Sequence, residues 1–418
     1  DVYKRQVMYY MRKTCLTIFL ILLLIGNYLQ AEEYYWVGGT GYWSDLNHWR
    51  TSNNQIPNEV PDANDNVTFN EYSFLSGFDT VYIQTGNPTC KDMTWLNLTG
   101  PVCLYGGGST VSFDIYGSIT LHPKLRNKYH GKITFLSNQP GNTISCSGSN
   151  FPGNLIFEGG GEWILQDTLI VLDTSDWRYV FNSGIWYSGN QFLIQHLNGK
   201  LDVNEQAIIG GTFVTGSSNP CDLDLENGQA YLLNSWTLNG QNMNFDGTNS
   251  YIYVGSELTN QYGSNIYYND VDVKKSTGTI TNTGIHSFFR KVHFLSGGKL
   301  NGVNNGSVMG SFTIDTLLFS GSYLYLNNPY EARITGVGHD IHYTRIDTLI
   351  ARINVSESTI HRIDIHGICL GNLFEGIPSI IKGNDNTFDT LMIRNTPCRF
   401  IGGNIVTGLI QFDRESVI

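Results

Sequence analysis

Charge is scarce in this 418-residue chain: Asp, Glu, Lys and Arg make up 15% of it, against about 25% in an average globular domain. What charge there is leans one way, with 25 basic residues against 36 acidic ones and a formal net charge of −11. An acidic surface repels phosphate backbones and anionic headgroups, which argues against nucleic acid and anionic lipid as partners. Helical periodicity is missing as well. Beyond residue 31 no long stretch repeats its apolar residues every 3.6 positions, which argues against helical and α/β enzyme classes. The chain also lacks a CxxC pair, a GxSxG nucleophile elbow, an HExxH helix and a phosphate-cradling loop, so zinc-finger, redox, serine-hydrolase, metalloprotease and nucleotide chemistries have no sequence anchor. The GGTG run at 38–41 stands before a Trp-rich turn and not between a strand and a helix, so it is no nucleotide fingerprint.

Only one long apolar run exists, and it lies at the start. Asp1 to Gln6 resembles a translated sequencing adapter, which places the natural start at Met8 or Met11. From Met11 the order is Arg12 and Lys13, an apolar run from Leu16 to Ile25, and a polar exit to Ala31. That is the pattern of a secretory signal cleaved after Ala31. The run is too short for the roughly 20 residues that span a bilayer. Residues 1–31 are therefore read as adapter-like sequence plus signal peptide, and the remainder as exported, secreted or held at the cell surface, with no further transmembrane span.

The mature part is rich in what strands and tight turns need. Gly 46 and Tyr 24 are high, and Asn-Gly turns at 198–199, 227–228, 239–240, 301–302 and 305–306 separate short apolar alternations. Strands of 4–7 residues at short intervals indicate a sandwich, a barrel or a solenoid. Internal repetition favours the last. An Asp-Thr-Leu marker recurs at Asp167, Asp315, Asp347 and Asp389, each followed by apolar residues, with a looser copy at Asp79. The expected fold is all-β, a right-handed parallel β-helix. Residues 32–79 read as an N-terminal Trp/Gly-rich cap and 80–418 as solenoid repeats, in a single monomeric chain.

The stretch from Tyr34 to Phe69, with its PDANDNVTF ending, resembles the N-terminal segment of exported surface β-helix proteins, the adhesin-like class made by gliding bacteria. Pro88 to Gly100, Gly153 to Val171 and Val292 to Gly302 resemble the same class. The resemblance implies a structural or adhesive, non-catalytic role against a glycan or a host or neighbour cell surface. Members of that class usually end in a sorting or adhesive module; this chain departs from the pattern, stopping at Phe412 to Ile418, and is read as a truncated solenoid. A polysaccharide lyase or glycoside hydrolase on the same fold is the alternative, and a glycan-binding module a third reading.

Candidate sites are few. Asp-Ile-His occurs at 340–342 and again at 364–366. A coil of that length would stack Asp340 over Asp364 and His342 over His366, a set able to hold a divalent metal or to do acid/base work on a glycan. An outward polar ladder beside buried isoleucines explains the same residues, and His339 and Arg362 flank them. Asp222, Asp224 and Glu226 alternate along one strand face, as do Asp270 and Asp272 beside Lys274, and Asp385 stands in a polar turn. Asp222, Asp224, Glu226 and Asp385 are the candidate calcium ligands, and Asp270 and Asp272 beside Lys274 join the carboxylates and base that a polysaccharide-cleaving enzyme would need. A plain polar face beside buried Leu or Val explains the alternating runs as well, and no organic cofactor is implied. Trp36, Trp43 and Trp49 suit either a sugar-stacking platform or the cover of the solenoid's open end. Export permits disulfides, and Cys90 with Cys103 and Cys369 with Cys398 are the nearest pairs; buried free thiols are the equal alternative.

Overall fold

The computed structural model describes residues 32–75, 77–83, 86–108, 111–173, 192–216, 218–263, 265–275, 277–283, 285–296, 298–303, 311–320, 331–348, 350–367, 379–394 and 398–412. Among them there is no α-helix, only a 3-10 turn at Leu46–His48. The strands stack in parallel into a β-solenoid. Up to Met243–Asp246 one face is a ten-stranded sheet whose rungs include Asn66–Phe69, Met93–Trp95 and Ile119–Thr120. A second, four-stranded face is built from Gly41–Tyr42, Thr80–Ile83, Val102–Gly106 and Leu125–Tyr129. The third sheet runs on through the described strands to Asn404–Phe412, with longer strands such as Ile266–Val273, His286–Phe294 and Asp340–Thr348.

Parallel stacking in register puts like over like. Phe69 stacks on Trp95 with ring centroids 3.8 Å apart, Phe135 on Phe157 at 5.0 Å, Phe213 on Trp236 at 4.7 Å and Tyr268 on Phe289 at 4.8 Å. These separations follow the strand spacing of about 4.8 Å, so each inward position becomes a ladder along the axis.

The Asp-Thr-Leu marker has a structural meaning. Leu169, Ile208, Ala230, Ile252, Val271, Val292, Leu317, Thr344, Ile363 and Leu391 form one continuous inward lane, each beside the next. Every one is fully buried. Three of the four marker leucines are therefore the same rung position. In the later rungs the two residues before the lane both face out, as Asp315-Thr316 and Asp389-Thr390 do between buried neighbours. They mark a corner where the strand bends and strict alternation is interrupted. The Asp347 copy is different: Asp347 pairs with His366 and lies past the lane.

Thr344 is the lane's one polar member, and its hydroxyl is buried without a hydrogen-bond partner. An unpaired buried hydroxyl costs about 1–3 kcal/mol. Thr344→Val should therefore stabilise the fold by about 1 kcal/mol, read as a higher denaturant midpoint at unchanged slope. An equal or lower midpoint would mean the hydroxyl is satisfied.

The Trp/Gly stretch closes the first rung. Glu33–Trp36 pairs in parallel with Asn66–Phe69 on one side and antiparallel with Trp49–Thr51 on the other, so the returning strand covers the sheet edge. Gly38 and Gly39, at φ +83° and +77°, make the turn that side chains resist. At Gly41 a Cβ would collide with the His48 ring, which stacks on Trp36 at 4.8 Å. Asp65 ties the loop down: its carboxylate accepts from the backbone N–H of Glu32 at 3.1 Å and of Asp62 at 2.9 Å. Parallel pairing thus begins at Glu33, inside the stretch.

Candidate functional site

A dense outward constellation sits at the corner just described. Strands Ser311–Ser320, Asp340–Thr348, Thr359–Gly367 and Asn386–Arg394 lie side by side. Their corner residues bring Asp315, His342, His361 and Asp389 into one outer lane, with Asp340 two residues before His342 on the same strand. His342 Nδ1 lies 3.4 Å from Asp315 and its Nε2 3.7 Å from Asp340. His361 Nε2 lies 3.3 Å from the other Asp340 oxygen, and its Nδ1 2.6 Å from Asp389. The two rings are 5.0 Å apart and nearly perpendicular. One donor atom from each of Asp340, His342 and His361 lies within 4.8 Å of the others.

This is not the set that the repeated tripeptide suggests. Asp340 pairs with Thr359, and Asp364 with Arg345, so the two aspartates lie on opposite sides of the corner and do not stack. Asp364 is buried and gripped by the Arg362 guanidinium through two bonds of 3.1 Å, with the Tyr343 hydroxyl 3.3 Å away. That fork makes Asp364 part of a structural pair. His366 lies in register with Asp347 and Arg394. His339 is buried against Phe312. Nearby His286 has both ring nitrogens on hydroxyls, Ser311 at 2.6 Å and Thr313 at 2.8 Å. Burial pushes its imidazole below the ordinary value, against the opposing pull of Asp340.

His361 and the two outer aspartates escaped sequence reasoning, yet a signal was present. Written from the corner, the rungs read DTLLF, HYTRI, HRIDI and DTLMI. His342 and His361 occupy the marker's first position, which aligns them with Asp315 and Asp389.

The acidic runs resolve into turns. Asp202, Asp224 and Asp246 form an outward column, and each accepts from the backbone N–H two residues on, at 2.8, 3.2 and 2.9 Å. That is the Asx-turn bond of a residue leaving a strand. Lys200 reaches into the column, 3.2 Å from Glu162, 3.3 Å from Asp202 and 3.8 Å from Asp224. Burial and the neighbouring carboxylates Asp202 and Asp246 raise the Asp224 carboxyl above its usual range, against backbone bonding and Lys200. Asp224, Glu226 and Asp246 come within ligand reach of one another, whereas Asp222 is bonded by the Asn244 amide at 3.0 Å. Asp385 takes a left-handed turn at φ +57° and joins no ligand cluster among the described residues. Asp270 is engaged by Arg290, and Asp272 accepts from the Tyr251 hydroxyl at 2.9 Å. The Lys274 ammonium is lowered by burial.

The tryptophans are core. Trp36, Trp43 and Trp49 are 1%, 4% and 0% exposed and pack edge to face at 4.9–5.0 Å, so none offers a free stacking face. Outside them lies a different aromatic surface. Tyr42, Tyr82 and Tyr105 are register partners on the outer side of the four-stranded face, with ring centroids 5.4 and 5.8 Å apart. Tyr42 and Tyr105 are about half exposed. Tyr42 and Tyr82 line a cavity of about 290 Å³ with Trp43, Ser44, Asn87 and Pro88. Lys128 continues the tyrosine column, and Arg126, two residues before it on the same side, lies 5.8 Å over the exposed Phe78 ring.

Cys90 and Cys103 are both free thiols. Cys90 is wholly buried, whereas Cys103 alternates outward between buried Val102 and Leu104, so this pairing is not formed. Burial pushes both thiols up. Cys398 is also free and buried, and Cys369 lies outside the described residues. No helix among the described residues is long and apolar enough to cross a membrane. Comparison with protein families, with curated proteins and with solved structures finds no match for the chain.

Proposed function

We propose that this chain is an exported surface solenoid that binds glycan on its outer aromatic face without turning it over. One observation carries the reading: three tyrosines in register, facing out beside a cavity, on an otherwise charge-poor scaffold. Sugar rings present apolar C–H faces that stack on exposed aromatic rings, while Ser44 and Asn87 at the cavity supply hydrogen bonds. Arg126 and Lys128 on the same side favour a glycan carrying carboxylates. A rigid, parallel-stacked body suits display at a cell surface, and the N-terminal apolar run supports export.

Affinity electrophoresis of the whole chain through neutral and uronate polysaccharides tests this. Tyr82→Ala and Tyr42→Ala should each weaken retention about tenfold, in keeping with the loss of one stacking partner, with no reducing ends released by the parent protein. Unchanged retention in both variants would sink the reading. Released product would move it to the lyase or hydrolase alternative.

A further inference from the structure

We infer that His342, His361 and Asp340 form a binding site for a divalent transition-metal ion of the zinc class. The inference stands apart from glycan binding and rests on how the two imidazoles are aimed. Both Nε2 atoms converge on the Asp340 carboxylate, each facing a different oxygen, at 3.7 and 3.3 Å. Both Nδ1 atoms face away from it, towards Asp315 at 3.4 Å and Asp389 at 2.6 Å. A metal-ligating histidine is commonly held in this way, its second ring nitrogen donating to a carboxylate that fixes tautomer and orientation. Here the arrangement occurs twice, about one central carboxylate.

The distances suit a small ion. Donors around a tetrahedral ion with bonds of about 2.0–2.1 Å stand about 3.3 Å from one another, close to the two Asp340 contacts. All three candidate donors lie within 4.8 Å, so modest rotation of exposed side chains closes the set. A second observation points to a missing partner: Asp340 Oδ1 is buried and makes no hydrogen bond, although His361 Nε2 stands 3.3 Å away. An ion between them would satisfy it. Three carboxylates beside two imidazoles favour a cation, and Arg362, the nearest base in sequence, is committed to Asp364. Two nitrogen donors select zinc, nickel, copper or cobalt over calcium and magnesium. The fourth position opens to solvent, because His342 and His361 have half-exposed side chains.

The test is zinc binding by the intact chain, by titration against a chromophoric chelator, with cobalt substitution to read coordination geometry. One equivalent should bind, and the cobalt form should show the intense visible bands of a tetrahedral site. His342→Ala and His361→Ala should each weaken binding at least 100-fold. Asp389→Asn, which alters the carboxylate facing the outer nitrogen of His361, should weaken it about 10- to 100-fold. Asp222→Asn in the distant acidic run should leave it unchanged. These side chains are exposed, so circular dichroism should be the same for all variants. Absence of saturable one-equivalent binding, or its survival in the His342→Ala/His361→Ala double variant, would overturn the site.

Discussion

Trp49→Ala is expected to destabilise the N-terminal rungs by about 3–5 kcal/mol, the range for removing a large aromatic from a packed core. Trp49 is 0% exposed and touches Tyr34, Trp36, Trp43 and Phe69 edge-on. Its indole N–H also donates to the Trp43 carbonyl at 2.8 Å, so truncation removes a bond that ties the returning strand to the preceding turn as well as the packing. In a solenoid each rung contacts only its neighbours, so the loss should stay local. Hydrogen exchange should therefore quicken in Glu33–Trp36 and Asn66–Phe69 and stay unchanged in Asn386–Arg394. Equal protection at the N-terminal rungs would show that the tryptophan cluster does not seal the end.

Asn260→Ala should cost about 3 kcal/mol for a different reason. Asn260, Asn282 and Ser287 are wholly buried and Tyr268 is 4% exposed. The Tyr268 hydroxyl donates to Asn260 Oδ1 at 2.6 Å, and Asn260 Nδ2 donates to Asn282 Oδ1 at 2.8 Å and to Ser287 Oγ at 2.9 Å. Asn282 passes the chain on to the Ser311 carbonyl at 2.6 Å. Removing Asn260 leaves the Tyr268 donor stranded in an apolar interior, at about 1–3 kcal/mol, and opens a void besides. Adding Tyr268→Phe removes the stranded hydroxyl, so the double variant should be less destabilised than the sum of the singles. Strict additivity in denaturant unfolding would mean that the network is not coupled.

Where sequence reasoning worked and where it failed has one cause. Leu169, Leu317 and Leu391 were legible as repeats because an inward rung position demands an apolar side chain whatever the coil length. Ligand sets obey no such rule. Asp340 and Asp364 share a tripeptide, yet coils of unequal length and a two-residue outward corner put them on different flanks. Strict alternation pairs Asp364 with His366 and hides His361, whereas the corner ends one alternation at His361 and starts another at Ile363. The tryptophans' composition suits a sugar platform, yet they are core; Tyr42, a neighbour of Trp43, is the one that faces out.

The sequence by itself determined the architecture. Its turn spacing, strand-forming composition and degenerate marker are conditions any stacked coil must meet locally, and local conditions are written in the order of residues. Only the tertiary structure decided which polar side chains meet. Contact between Asp315, His342, His361 and Asp389 depends on register between coils, and register is set by the summed lengths of turns and corners. No single segment carries that quantity.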